Sequence, residues 1–478
     1  MKKIISVLII GVSLLSSCNR SFLDQASPTS ISPLTFYKTA QDFQAALNST
    51  YGALQSSYMY WFVYGDVTSD DAFTASGAGS SLEGEFDLPP VNATNFNLST
   101  LFWNPSYLVI ARANIVLGRI DGATIADNQK KQFAGEAKFI RALAYFNLVR
   151  VFGDVPLILK EIPSADEAFS YSRETVANVY VQIIKDLQDA EQVLPISYSA
   201  GDAGKATSGA AKTILATVFL TQHKFAEAAA KLKEVVDAGT YSLLPNYNDI
   251  FNPANGWNKE IVFAINYQKG GIGEGSPFPN FFIPNQSGND IVPAGAAAGY
   301  AQITEDFDQA FEANDLRKSI SVGVYQSVFK YTRKYLDVPS ANYDSNNDWI
   351  VTRYADVLLM YSEALNETGN LAAAITNLNI VRTRAGLPNK TATDIPTQDA
   401  FRLAVEHERR VELSIEGHRW FDLLRTNRVK TVMNAYYIKE NVKRNGVIEV
   451  LQDFMLLFPI PTAEVNINPN KIKQNPGY

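Results

Sequence analysis

Two stretches of this chain repeat each other in a pattern that limits the fold before anything else does. Leu215, Phe219, Phe225, Ala228 and Leu232 match Tyr361, Leu365, Leu371, Ala374 and Leu378 at one constant offset. In each copy an apolar stretch breaks at a short polar turn, His223-Lys224 or Gly369-Asn370, and then restarts with alanines close behind. Apolar residues three and four apart share one face of a helix, so each copy reads as two antiparallel helices with a small residue at the crossing. Tetratricopeptide-like pairs of this kind bury a core only by stacking, which predicts at least three or four of them along the chain. Phe133, Ala137, Ile140, Ala144 and Leu148 mark a further helix that Gly153 and Pro156 should end, and Thr39 to Leu54 begins another. The fold class is therefore mainly α.

The pattern changes over about 57–104 and 241–350. Ile261 to Tyr267 reads as a strand, and Phe329, Tyr331, Arg333 and Tyr335 alternate as a half-exposed strand does. From Gly270 to Gly299 there are seven Gly and four Pro, too many for a regular element. Loops of that length are functional or disordered, and Phe278, Phe281, Phe282 and Tyr300 in or beside this one argue against disorder. Residues 34–478 are expected to form one body. Its helices lie mainly in 34–56, 105–240 and 351–430, and a loop-rich, partly β subregion fills 57–104 and 241–350 as the ligand-binding part.

Met1-Lys2-Lys3, the mostly apolar run Ile4 to Leu15 and the small residues before Cys18 compose an export signal, too short for a membrane-spanning helix of about 20 residues. Cys18 is the single cysteine, so the chain has no internal disulfide and no zinc site built on two cysteines. Leu15-Ser16-Ser17-Cys18 resembles a bacterial lipobox, in which the cysteine is lipidated and becomes the mature N-terminus. Residues 1–17 are then the leader, and the Ser/Pro/Asn-rich 18–33 a tether. No later run offers 18 unbroken apolar residues, so membrane contact is expected through the lipid anchor only. Lys+Arg 42 against Asp+Glu 49 leaves a net charge of -7 with no basic block, which argues against nucleic acid as a partner.

Motifs that carry chemistry are mostly absent from the sequence. The three histidines form no metal-binding pair, Gly204-Lys205 lacks the rest of a phosphate loop, and no Gly-x-Ser-x-Gly elbow occurs. No cofactor, metal or catalytic residue is expected. What remains for an enzyme is a glycosidase-type carboxylate pair drawn from Asp70, Asp71, Glu83, Glu85 and Asp87. Acidic loop residues are far more often solvated or bonded to turns, so the chain is expected not to be an enzyme.

An ordered series of motifs resembles the SusD/RagB family, surface lipoproteins that capture nutrients for outer-membrane transporters in Bacteroidota. After the lipobox come Phe22-Leu23-Asp24, Gly65-Asp66 with Ser69-Asp70-Asp71, and Trp103 with Tyr107, Ile110 and Asn114. Glu136 to Ala142 with Tyr145-Phe146 and Gly153-Asp154-Val155-Pro156 follows, then Gly204 to Lys212. The C-terminal third is the most specific: Arg353 to Leu359, Arg384-Ala385-Gly386-Leu387, Glu408 to Leu413, Glu416 to Leu423, and Phe458-Pro459-Ile460-Pro461 through to Asn475-Pro476-Gly477-Tyr478. Physically these motifs read as scaffold. Glu408 and Glu412 are one helical turn apart beside Arg409 and Arg410, and Arg419 is within reach of Asp422. Trp420 and Phe421 read as core, His418 as a satisfied structural histidine, and Gly417 as a bend.

The resemblance implies a SusD-like architecture and a lipid-anchored, surface-exposed place in the outer membrane. It further implies oligosaccharide capture for a SusC-like TonB-dependent transporter, with peptide capture as in the RagB branch as the alternative. A sugar site needs aromatic platforms flanked by polar side chains. The candidates are Asp70, Asp71 and Phe73 on one side and Tyr267, Phe281, Phe282, Asn285 and Tyr300 on the other, in two regions the family brings together. Trp61 and Tyr64 are further possibilities, Trp103 is discounted as scaffold, and Trp257 could go either way.

Overall fold

The computed structural model describes residues 36–74, 86–87 and 89–478. The leader, Cys18, the tether, Glu83 and Glu85 lie outside them. Helices α1 (Ala40–Tyr58), α2 (Asn104–Arg119), α3 (Asp127–Phe152) and α4 (Val176–Val193) lead to the two copies of the repeat. The first copy is α5 (Ser208–Thr221) and α6 (Phe225–Asp237), the second α7 (Tyr354–Glu367) and α8 (Leu371–Arg384). After them come α9 (Gln398–Glu412), α10 (Arg419–Arg425), α11 (Val429–Lys439) and a short last helix, α12 (Thr462–Ile467).

Local chemistry sets these boundaries. The side chain of Thr39 accepts from the Asp42 amide, while the Asp42 carboxylate accepts from the Thr39 amide at 2.8 Å, a reciprocal cap at the start of α1. Gly153, at φ 72, ends α3 where the sequence places the stop. Ala211, Ala228, Ala364 and Ala374, on the four helices of the repeat, are wholly buried, as small side chains in closely packed helices are.

The helices stack in series, α3 on α4, α4 on α5, α5 on α6, α6 on α7, and α7 on both α8 and α9. Thus α6 and α7 are neighbours although residues 238–353 separate them, and the strand- and loop-rich stretch is an excursion between adjacent repeats.

Short strands root that excursion. Numbered along the chain they are β1 (Ala72–Phe73), β2 (Ile261–Ile265), β3 (Gln302–Ile303), β4 (Gly323–Tyr325), β5 (Phe329–Tyr331) and β6 (Trp349–Arg353). Strand β2, which follows α6, pairs antiparallel with β6, which leads into α7, with Ile261 opposite Arg353 and Ile265 opposite Trp349. A second sheet has the order β1-β3-β5-β4, and β1, from the segment after α1, joins the excursion by pairing Ala72 with Ile303 and Phe73 with Gln302.

Two strand expectations shrink. The predicted strand to Tyr267 stops at Ile265, and that over 329–335 stops at Tyr331, beyond which Tyr335 is buried against Trp349. The Gly/Pro-rich loop contains a short helix, Phe278–Phe282.

Candidate ligand-binding site

Beneath the loops lies a lattice of buried ion pairs that fixes their position. Arg353, leaving β6, donates to Glu260, Glu412 and Glu416, and the side chains of all four are inaccessible to solvent. Glu412 on α9 also accepts from Arg317 at 2.9 Å and from Arg384 on α8. Lys334 donates to Glu416 at 2.7 Å, and Glu408 accepts from Arg317 and Arg382. The lattice thereby ties the excursion to α8, to α9 and to the turn that follows α9. Pairs this deep hold together only because every charge has several partners. The expected helix-end network is far larger than i,i+4 spacing indicated.

Asp70 and Asp71 belong to the same kind of structure, and their expected role at a ligand is corrected. Arg419 holds Asp70 through two bonds, Nε to Oδ1 at 2.8 Å and Nη2 to Oδ2 at 2.9 Å, while Arg410 donates to Asp71 at 2.7 Å. Burial works against ionisation of Asp70, but Arg410 and Arg419 hold its carboxyl below the usual range. Burial and the neighbouring Asp70 charge push Asp71 up. Arg419 therefore does not pair with Asp422, which instead accepts from Arg409 and Arg425. His418 is half-buried, and its Nε2 is enclosed with no partner among the described residues, so it is structural but not satisfied.

Several aromatics named from sequence are core. Phe282 packs edge-on against Phe62 and stacks on Phe278, and Phe281 lies beneath Tyr60 and Tyr300. Trp61 stacks on Phe421 at 4.9 Å and Tyr64 sits among Phe86, Phe102 and Phe458, which excludes both as platforms. Trp103 is buried as expected. Tyr267 is buried with its hydroxyl donating to the Gln55 carbonyl, and it lines a polar cleft rather than the aromatic surface.

What reaches solvent is a ring of tyrosines over Phe281. Tyr60 and Tyr300, both half-buried, and Tyr343, 37% exposed, lie with ring centroids 5.3, 5.0 and 5.5 Å from that of Phe281. The loop is folded back to make this surface. Tyr300 N donates to the Phe281 carbonyl at 2.8 Å, Gly299 N to that of Ile283, and Tyr343 N to the Asn280 side chain at 3.1 Å. Phe73, equally exposed, stands at the neighbouring strand edge, and the Thr74 hydroxyl donates to the Tyr300 carbonyl. Asn285 is half-buried, with its side-chain oxygen lacking a partner among the described residues. The fold thus brings the two predicted regions together through β1 and β3, and Phe73 and Tyr300 keep the exposure a platform needs.

Sequence reading missed Tyr60 and Tyr343. Tyr60 is one of five aromatics in 58–64, and only the turn after α1 decides that it, rather than Trp61 or Tyr64, points outward. Tyr343 is the lone aromatic of a polar run, 340–348, which was the available signal.

Comparison with known proteins accords with this geometry. A family model described as SusD family matches residues 247–478, and one described as starch-binding associating with outer membrane matches residues 21–220. The chain belongs to the SusD family. A SusD-like protein, P25 of Formosa agariphila, is 28% identical over 98% of this chain and 99% of its own length. A laminarin binding SusD-like protein superposes with a TM-score of 0.76 at 26% identity, covering 92% of this chain and all of that one. A SusD superfamily protein from Parabacteroides distasonis gives a TM-score of 0.77, also at 26% identity, over 92% and 99%.

In this SusD-family chain one further group titrates near neutrality. Asp348, beside the polar cleft, accepts from the Tyr267 amide at 2.9 Å, and burial pushes its carboxyl up to about 7. The native state then holds a proton that the unfolded chain releases near pH 4, so stability contributed by this site falls as pH rises from about 4 to about 7. Asp348→Asn keeps the accepting oxygen and removes that slope. Thermal melts across the window should show the variant gaining on the parent protein as pH rises; parallel curves would contradict the assignment.

Proposed function

We propose that this chain is a lipid-anchored outer-membrane protein that captures a glycan without reacting it and passes it to a SusC-like TonB-dependent transporter. The observation that carries the reading is the open ring of Tyr60, Tyr300 and Tyr343 over Phe281, with Phe73 at the adjacent strand edge. Sugar rings present apolar C–H faces that lie against aromatic surfaces, while hydroxyls bond to polar neighbours. Kinship with a laminarin binding SusD-like protein supports the same ligand class. Capture rather than hydrolysis fits the acidic segment, since Asp70 and Asp71 are neutralised by arginines and Asp87 is bonded to the Thr74 amide. Acyl chains on Cys18 supply the anchor, each buried methylene adding about 0.8 kcal/mol. Among the described residues no helix is long and apolar enough to cross a membrane.

Titration calorimetry of the protein from Ser21 onward against laminarin, plant, host and microbial oligosaccharides and a peptide digest tests this. Saturable heat with one glycan class is expected, weakened about tenfold or more in Tyr300→Ala/Tyr343→Ala. The buried Phe281 and Phe282 are left intact, because truncating them would disturb the core. Heat from peptides alone transfers the reading to RagB-like peptide capture, and undiminished glycan binding by the variant removes the platform.

A further inference from the structure

A cleft of 740 Å³ opens between α1 from Gln44 to Gln55, the 201–205 turn, the C-terminal end of β2 and the segment leading into β6, and no residue of the tyrosine platform lines it. Its wall is unusually rich in carboxamides: Gln44, Asn48, Gln55, Asn266, Gln268 and Asn346. Several are already fixed. Gln44 donates to Asn48 at 2.8 Å and accepts from Lys205 at 2.9 Å, Gln55 donates to the Asn266 carbonyl at 2.8 Å, and the Asn346 oxygen accepts from the Lys269 amide at 2.9 Å. An amide offers a donor and an acceptor side by side, which matches vicinal hydroxyls, and a row held in place loses little freedom on binding.

Trp257 flanks this wall in a backbone conformation that a bulky residue rarely adopts. Its φ is 51, and its indole N–H donates to the Asn266 side chain at 2.8 Å, so the ring is locked where a flexible aromatic would swing away. Residues held in sparsely populated conformations cluster at functional sites. Gly204 makes room for that Asn266 side chain, since a Cβ there would lie 2.0 Å from its amide nitrogen. The charge of Lys205 is met by Asp202 at 2.6 Å. Glu274 and Asp348 also line the cleft, which disfavours anions, while its carboxamides and one fixed indole suit an uncharged polyhydroxylated ligand.

We infer that this cleft is a second carbohydrate site, separate from the tyrosine platform, which binds a neutral oligosaccharide segment between the Trp257 indole and the carboxamide wall. The inference takes its ligand class from the proposed glycan capture, and its test keeps the two apart. Of the five tryptophans, Trp61, Trp103, Trp349 and Trp420 are at most 4% exposed, whereas Trp257 is half-buried at the cleft. A ligand-dependent change in tryptophan emission therefore reports on this site.

The oligosaccharide panel named above would be titrated by fluorescence and calorimetry into the parent protein, Trp257→Phe, Trp257→Gly and Tyr300→Ala/Tyr343→Ala. Glycine relieves the left-handed backbone while removing the ring, so loss of folding does not obscure the result. The expected outcome is a saturable emission change that survives in the tyrosine variant and vanishes in Trp257→Phe, with calorimetric affinity at this site at least about tenfold weaker in Trp257→Gly. If the tyrosine variant abolishes all binding while Trp257→Gly binds as the parent does, the second site is overturned and glycan capture at the platform stands. If only Trp257→Gly loses binding, the cleft stands and the platform falls. No heat from any oligosaccharide overturns both.

Discussion

Replacing Glu412 with alanine is expected to destabilise the protein by about 3–5 kcal/mol, the range found when one partner of a buried ion pair is removed. Glu412 is the shared acceptor of Arg317, Arg353 and Arg384, all with side chains at most 4% exposed, and the substitution leaves three guanidiniums facing one another without their carboxylate. Against a total stability of about 5–15 kcal/mol, this brings the chain close to unfolding. Urea titration of the soluble fraction measures it, and a loss below about 1 kcal/mol would show that water or neighbouring acids compensate. A pH signature accompanies the loss. Burial disfavours the Glu412 anion, but Arg384, Arg353 and Arg317 outweigh it and hold the carboxyl well below the usual range. Its stabilisation is complete above the ordinary glutamate pKa and is lost as pH falls through the lowered one, so acid unfolding of the parent protein should be steeper than that of Glu412→Ala.

Gly65→Ala should be at least as severe, at about 4 kcal/mol or more, because the obstruction is main chain. A Cβ on Gly65 would stand 2.4 Å from both the carbonyl carbon and oxygen of Gly417, and no rotamer change relieves a clash with backbone. Gly417 is itself held at φ 81 with its amide donating to Asp66 at 2.8 Å, and its own Cβ would meet Trp61 at 2.3 Å. Gly446 supplies the control. It has nearly the same φ, 82, with nothing near its Cβ, so Gly446→Ala registers conformational strain alone, about 1 kcal/mol. Thermal melts giving equal losses for Gly65→Ala and Gly446→Ala would refute the close-approach argument.

The contrast between these glycines illustrates how legibility divides. Gly417 was readable as a bend because glycine inside a polar-aromatic motif has few other uses. That it touches Gly65, far away in the chain, was not, since nothing local encodes which two backbones meet. The repeat was readable for the opposite reason: helix periodicity and small residues are local patterns, and in both copies the first helix ends and the second begins at matching residues.

The candidate site shows the same division. Sequence placed it in the two loop-rich regions, because composition there departs from helical patterning. It erred on which side chains face out. Asp70 and Asp71 look like exposed loop acids until Arg410 and Arg419, contributed by α9 and α10, are set against them. Phe281 and Phe282 look like platform rings until the loop folds back over its own short helix.

Short-range periodicity and spacing are enough to specify the stacked helical pairs, the stretch between them and the family motifs. That acids and arginines from distant segments neutralise one another, and that Tyr60, Tyr300 and Tyr343 reach solvent while equally aromatic neighbours are buried, follows from the folded arrangement. Burial and charge pairing are properties of what lies across a contact, and a residue's partner across a contact is set by the fold as a whole.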